Sequence, residues 1–255
     1  MNVQTRLLAQ LAIDYNTTPE ALSGTENLFT RNAPDLRKRV YLNRDAGPLH
    51  VLCLGSIAVL RCGSDALLEA MRAKYANFNA AWFLSIRNLN ELNELLFPFG
   101  ARITHHQLYF LPTGRFPAPR PELALRWYEA DELERFHGDA RFQEALSFAP
   151  DMPDMLAVTA EADGEILGMA GASRDAERFW QIGINVLPSA RRRGIASALT
   201  AALAQELLAR DVLPFYGTAP SHIFSQRTAL NAGFLPAWTE LRAEPLNTEP
   251  LIKEE

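Results

Sequence analysis

The chain has 255 residues, 48% hydrophobic and 22% charged, with 14 Gly and 16 Pro. That balance excludes a disordered, fibrous or collagen-like chain. Its net charge of −5 divides into +4 over residues 1–120 and −9 over residues 121–255, so neither half has the basic surplus of a nucleic-acid binder. No run of about 18 apolar residues predicts a membrane span, and the first twenty residues lack a signal peptide's apolar centre and cleavage site. A cytoplasmic protein is therefore expected.

In chain order, Val3, Leu7, Leu8, Leu11 and Ala12 recur at helical spacing and predict a helix over residues 3–14. Thr18-Pro19 reads as an N-cap followed by proline in the first turn, opening a short helix through Leu22. Residues 49–61 are β-rich, with a bend or bulge expected at Gly55-Ser56. Ser64-Asp65 caps a helix running from Ala66 to Tyr75; a second covers about 90–96, and a strand runs from Ile103 to Leu111. His105 and His106 are neighbours on that strand, so their rings point to opposite faces. No further ligands accompany them and no metal is expected. Cys53 and Cys62 are too few for a disulfide framework or a four-ligand zinc site and read as buried thiols. Residues 1–111 are thus expected to form a separate α+β domain whose role the residues do not disclose. Residues 112–121 carry Pro112, Pro117, Pro119 and Pro121, which cannot continue a helix or sit in a central strand. They read as an interdomain linker.

After it, residues 123–128 predict a strand and 131–136 a helix. Met155 to Ala160 and Ile166 to Ala172 bracket Asp163-Gly164, a hairpin signal because glycine supplies the positive φ of the turn. Phe179 to Leu187 is a third strand, stopped by Pro188. Arg191, Arg192, Arg193, Gly194, Ile195, Ala196 and Ser197 then lead into an amphipathic helix ending near Arg210. Free N–H groups in a first helical turn, a positive dipole end, small residues and three arginines together suit a bound pyrophosphate. A strand over 213–218, a helix over 221–232 ended by Gly233, and a strand over 234–241 complete a unit expected at 122–245, followed by a tail at 246–255.

This order of elements, with Arg191-Arg192-Arg193-Gly194-Ile195-Ala196 in its place, resembles the GNAT family of N-acetyltransferases. The six residues look like that family's acyl-CoA pyrophosphate loop, (Arg/Gln)-x-x-Gly-x-(Gly/Ala). Val186-Leu187-Pro188 resembles the strand end before it, and Ser225 to Phe234 the later helix with its Gly-Phe end. The resemblance covers about residues 122–245. It implies an α/β (α+β) fold with a mixed, mostly antiparallel sheet flanked by helices, and acetyl-CoA as cosubstrate. By the same resemblance the backbone of Asn185 and Val186 pairs with the pantetheine arm, N–H groups from Arg191 to Ala196, with Ser197 behind them, hold the pyrophosphate, and Ser225 lies near the thiol. The chain departs from the family's pattern at His222, where Asn is frequent, at Ala229, where a proton-donating Tyr is frequent, and at Trp180-Gln181, where a Glu base occurs.

Amine attack on a thioester needs a proton acceptor and a donor for the leaving thiolate. Tyr216 and His222 are candidate donors, Glu161 a candidate base, and Asp151 and Asp154 candidates for holding a cationic acceptor. The leading expectation is an N-acetyltransferase acting on a primary amine of a small molecule or peptide by direct attack in a ternary complex. A non-catalytic acyl-CoA sensor and an interaction module on a degenerate fold are the alternatives. Neither nucleic acid nor membrane is expected as a partner, and a homodimer is left open.

Overall fold

The computed structural model describes residues 2–44, 47–120 and 122–246. They fall into two compact units whose pieces alternate along the chain. One unit gathers residues 8–36, 42–108 and 237–246; the other gathers residues 2–7, 37–41 and 109–236. These pieces do not follow the bounds expected at 111, 121 and 245. Residues 37–41 belong with the later unit, and the end of the last strand belongs with the earlier one.

The first half of the chain provides α1 (Val3–Asp14), α2 (Pro19–Leu22), β1 (Leu28–Arg31), α3 (Val40–Arg44), β2 (Leu49–Leu54), β3 (Ile57–Cys62), α4 (Asp65–Tyr75), α5 (Ile86–Leu96) and β4 (Ala101–Pro112). Side-chain caps start three of these helices: Thr18 accepts from the Ala21 N–H, Ser64 from Leu67 and Ser85 from Asn88. Leu54 pairs with Ile57 across Gly55-Ser56, where Gly55 has φ +58°, so the expected bend is a two-residue hairpin turn. Every residue of β3 is buried, and α4 lays Leu67, Met71 and Tyr75 onto a core with Val51, Leu60, Phe83 and Leu92.

The second half provides β5 (Ala124–Glu129), β6 (Asp154–Ala162), β7 (Glu165–Ala176), β8 (Phe179–Val186), α6 (Ile195–Ala209), β9 (Leu213–Thr218), α7 (Ile223–Asn231) and β10 (Phe234–Pro245). In the later unit the strands lie in the order β4-β9-β8-β7-β6-β5. β5 to β8 pair antiparallel in sequence, while β8 and β9 run parallel across the α6 crossover. The result is a mixed, mostly antiparallel sheet flanked by helices. Asp163 (φ +52°) and Gly164 (φ +80°) turn between Ala162 and Glu165, as Asp-Gly predicts. α6 buries Ile195, Leu199, Leu203 and Leu207. Residues 130–136 form a 3₁₀ helix rather than the α-helix expected there, opened by a reciprocal Glu129/Glu132 capping box.

The proline-rich segment is extended, but it is not a free linker. Thr113 gives its N–H and hydroxyl to the Gly233 carbonyl at 2.9 and 3.0 Å. Farther on, the Arg120 guanidinium donates to the Arg193 carbonyl. The segment thus straps the end of α7 to the start of α6, both inside the later unit.

Candidate active site

Two parallel strands that stop pairing create the site. β8 and β9 are in register from Phe179↔Leu213 to Ile182↔Tyr216, and there the pairing ends, although β8 runs on to Val186 and β9 to Thr218. Beyond Ile182 and Tyr216 the strands open as a wedge. The backbone of residues 183–186 has β7 on one side, through Gly183↔Gly171 and Val186↔Gly168. Its other side faces the wedge, where an extended ligand can take up strand-type hydrogen bonds. Side chains alternate along each strand. Phe179, Gln181, Gly183 and Asn185 share one face with Phe215, whose ring stacks on Phe179 at 4.5 Å. Ile182 and Tyr216 belong to the other face.

On that other face the Tyr216 hydroxyl lies 2.8 Å from Ser225 Oγ of α7, and the Tyr216 ring centre stands 6.5 and 6.4 Å from those of Phe110 and Phe234. Burial pushes the Tyr216 phenol above its usual pKa, and the Glu144 carboxylate adds to the rise against the Ser225 hydrogen bond. The phenol is therefore firmly protonated at neutral pH. Ala229, where the resemblance leads one to look for a tyrosine, is fully buried in α7.

The first face carries a loop that the sequence did not mark. Asp139 caps a 3₁₀ turn at Ala140–Phe142, and Phe142, Ala145 and Leu146 are buried with Tyr128, Phe136 and Met169. Asn185 Oδ1 accepts the N–H groups of Glu144 and Ala145 at 2.9 and 2.8 Å. A Cβ on Gly183 would fall on the Glu144 carbonyl oxygen, and one on Gly171 on the Ala145 carbonyl oxygen. The loop therefore lies directly on β7 and β8 at the mouth of the wedge, with the Glu144 side chain exposed. The usable signal was the pair of mid-strand glycines, which mark close backbone approach.

At the far end of the wedge is the arginine loop. Past the 3₁₀ turn Pro188–Ala190, Arg191 is extended, Arg192 has φ +60° and Gly194 φ +74° at the N-cap of α6. The first N–H to enter the helix ladder is that of Ala198, donated to the Gly194 carbonyl at 3.1 Å. Among the described residues no backbone carbonyl takes the N–H groups of Arg192 to Ser197. Arg191 Nε donates to the Val186 carbonyl at 3.3 Å, tying the loop to the strand end. Arg120, from the strap, adds a fourth guanidinium, 2.8 Å from where a Cβ on Gly194 would stand. Sequence reasoning missed it because its segment read as a linker. Oriented N–H groups, a helix N-terminus and four arginines suit a pyrophosphate.

Other sequence candidates lie elsewhere. Glu161 accepts from the hydroxyls of Tyr128 (3.1 Å) and Thr159 (3.0 Å). It pairs with Ile166, beyond the Gly168↔Val186 level and two strands from β8, so it does not face the Tyr216–Ser225 pair. Asp154 is buried and accepts from the Phe148 N–H and the Ser173 hydroxyl at 2.8 and 2.6 Å, a structural tie rather than a cation site. Asp151 is exposed in the loop before it. His222 is the exposed N-cap of α7, and no hydrogen bond joins its ring to Tyr216 or Ser225 among the described residues.

In the earlier unit, His105 bonds Thr104 and Arg242, and His106 Nε2 lies 3.1 Å from Thr239 Oγ1, with burial pushing the His106 pKa down. Burial pushes both Cys53 and Cys62 up to about 12, which leaves neither as a thiolate nucleophile at neutral pH. Among the described residues no three His, Cys, Asp or Glu could hold a metal together, and no helix is long and apolar enough to cross a membrane.

Three solved structures with similar folds are a GCN5-related N-acetyltransferase from Kribbella flavida, a GCN5-related N-acetyltransferase-like protein from Streptococcus suis and a GNAT-family acetyltransferase from Colwellia psychrerythraea. The Kribbella protein is 17% identical over 97% of each chain, with a TM-score of 0.49. The Streptococcus protein is 14% identical over 62% of this chain and 68% of its own (TM-score 0.44). The Colwellia protein is 16% identical over 62% of both (TM-score 0.44), so the chain spans less than two thirds of it. No curated protein gives a significant match. Residues 122–234 match the acetyltransferase (GNAT) family model, over the stretch that carries both the wedge and the arginine loop. Residues 122–234 thus make up a GNAT acetyltransferase domain.

Proposed function

We propose that the protein is an acetyl-CoA-dependent N-acetyltransferase that passes the acetyl group to a primary amine by direct attack in a ternary complex. The observation that carries this reading is the wedge itself, with an anion cradle at one end and the buried Tyr216, bonded to Ser225, at the other. Acetyl-CoA fits these residues. N–H groups of Arg192 to Ser197, backed by Arg120, Arg191 and Arg193, would hold its pyrophosphate, and the free edge of residues 183–186, Asn185 and Val186 among them, would hold its pantetheine arm. When bound, it supplies an acyl group already activated as a thioester. Tyr216 then gives its proton to the departing sulfur while Ser225 fixes the direction of the hydroxyl. The acidic balance of residues 121–255 favours a cationic acceptor, as most free amines are at neutral pH.

Turnover should rise with pH as the amine loses its proton. Because the Tyr216 pKa is raised, the downturn from loss of the phenolic proton should lie above about pH 10. Tyr216→Phe is expected to lower turnover about a hundredfold and leave acetyl-CoA affinity intact, while His222→Ala stays within about threefold of wild type. Coenzyme-thiol release and calorimetry over an amine panel check both. If the wild-type protein binds acetyl-CoA and acetylates no amine, an acyl-CoA sensor on this fold is the better reading; the absent tyrosine at Ala229 is what favours it.

A further inference from the structure

We propose that Glu144 is the group that receives the acceptor amine and takes its proton, from the face of the sheet opposite Tyr216. The proposal rests on the transferase reading above and names a residue for the half of the reaction which that reading leaves open.

Three carboxylates of the later unit are weighed for this role. Glu161 and Asp154 are occupied by hydroxyl and N–H donors, as described. Glu144 differs in every respect. Its side chain is exposed, and no hydrogen bond or ion pair engages its carboxylate among the described residues. Its backbone, by contrast, is fixed. Asn185 Oδ1 takes its N–H at 2.9 Å, and its carbonyl rests where a Cβ of Gly183 would be. The backbone is fixed at the wedge while the carboxylate stays unengaged, open to an incoming amine.

Strand parity sets its direction. Gly183 follows Ile182, the last residue of β8 paired with Tyr216. Adjacent strand residues face opposite ways, so the loop over Gly183 and the hydroxyl of Tyr216 lie on opposite faces, separated by the opening of the wedge. The two groups nonetheless sense each other: the Glu144 charge contributes to holding the Tyr216 proton. An acyl group lodged in the opening would have a proton donor on one side and a proton acceptor on the other.

The step balances. The amine nitrogen bonds to the acetyl carbon and becomes strongly acidic, and the Glu144 carboxylate takes that proton. The carbon–sulfur bond breaks, and the departing thiolate takes the Tyr216 proton. Net, one proton moves from the amine to the coenzyme's sulfur, and solvent returns the proton from Glu144 to Tyr216. The negative charge of Glu144 also draws a cationic amine to this face before reaction.

The test uses the full chain, with acetyl-CoA and three acceptors: spermidine, free lysine and a short peptide with an open α-amine. Glu144→Gln should lower kcat/KM for the accepted amine about fiftyfold or more, chiefly in kcat, with acetyl-CoA affinity within twofold of wild type. Glu144→Asp should recover part of the loss, since the carboxylate survives at shorter reach. A Glu144→Gln protein within threefold of wild type overturns the role of Glu144 and leaves the transferase reading standing. One that loses acetyl-CoA affinity as well shows Glu144 to be structural, which also overturns the proposal. A wild-type protein that binds acetyl-CoA yet acetylates none of the three amines overturns the transferase reading, and the assignment of Glu144 with it.

Discussion

Gly183→Ala should lower stability by about 3 kcal/mol or more and reduce turnover about a thousandfold. The added methyl would meet only backbone: the Glu144 carbonyl oxygen, its carbon at 2.9 Å and Ala145 Cα at 3.2 Å. No flexible side-chain end can swing aside. The loop must lift, and in lifting it gives up two hydrogen bonds to Asn185 and part of the burial of Phe142, Ala145 and Leu146. For a chain of this size such a loss lowers the melting temperature by about 6–12 °C. The effect on turnover follows from geometry, because a displaced loop no longer presents its face to the wedge, and misplacement of about an ångström is costly in catalysis. Thermal melts and coenzyme-thiol release test the two halves separately. Wild-type values for both would mean that the loop does not rest on Gly183.

Gly194→Asp should abolish acetyl-CoA binding, with at least a thousandfold loss of affinity, in a protein that still folds. Aspartate tolerates the left-handed conformation better than most residues, which φ +74° demands. It is also a favoured N-cap, so its carboxylate can satisfy N–H groups of the first turn of α6. Its Cβ would stand 2.8 Å from Arg120 Nη1, an ion-pairing neighbour. The substitution therefore supplies the cradle with an internal anion that the pyrophosphate must displace and then repel. A thousandfold corresponds to about 4 kcal/mol, within reach of one charge replacing another at a site built for phosphate. Calorimetry with acetyl-CoA on the folded variant decides the matter, and unchanged affinity would remove the pyrophosphate from this loop.

Where a segment's pattern and its burial agree, the element was legible in the residues. β3 is apolar but for Arg61 and fully buried, and α6 repeats its apolar residues with helical period beneath the arginine loop. The hairpin at Asp163-Gly164 has the φ values its dipeptide predicts. β1 escaped notice because four residues, three of them half-buried, hold too little periodicity. Residues 37–41 escaped for another reason. Arg37, Lys38 and Arg39 offer no apolar periodicity, yet Arg39 is fully buried among the rings of Tyr41, Tyr109, Phe179 and Phe215, between 5.3 and 6.0 Å from their centres.

The site divides in the same way. The arginine loop was visible because it is contiguous, and Tyr216 with Ser225 because strand and helix follow one another. Glu144 and Arg120 were not, since each reaches the site through a contact distant in sequence, with Asn185 and with Arg193. Spacing rules see neighbours along the chain and not across it. For Glu161 the residue type suggests a base, but the chain order does not reveal the two hydroxyls that bond it.

The alternation of the two units along the chain has a consequence for biosynthesis. Residues 8–108 leave the ribosome first, but β10 pairs with β2 from Thr239↔Cys53 to Ala243↔Leu49, and residues 237–246 complete that earlier unit. It must therefore wait until about 130 residues after Leu108 have been made, on the order of ten seconds at ordinary elongation rates. During that interval the side of β2 that β10 will cover presents open N–H and C=O groups, the kind of edge that recruits other strands. The later unit closes sooner, once residue 236 has emerged, because its own early pieces, residues 2–7 and 37–41, are already waiting. Residues 237–246 thus finish a unit whose other pieces were all made before residue 109. Slowing synthesis late in the message should expose nascent chains to aggregation more than slowing it early.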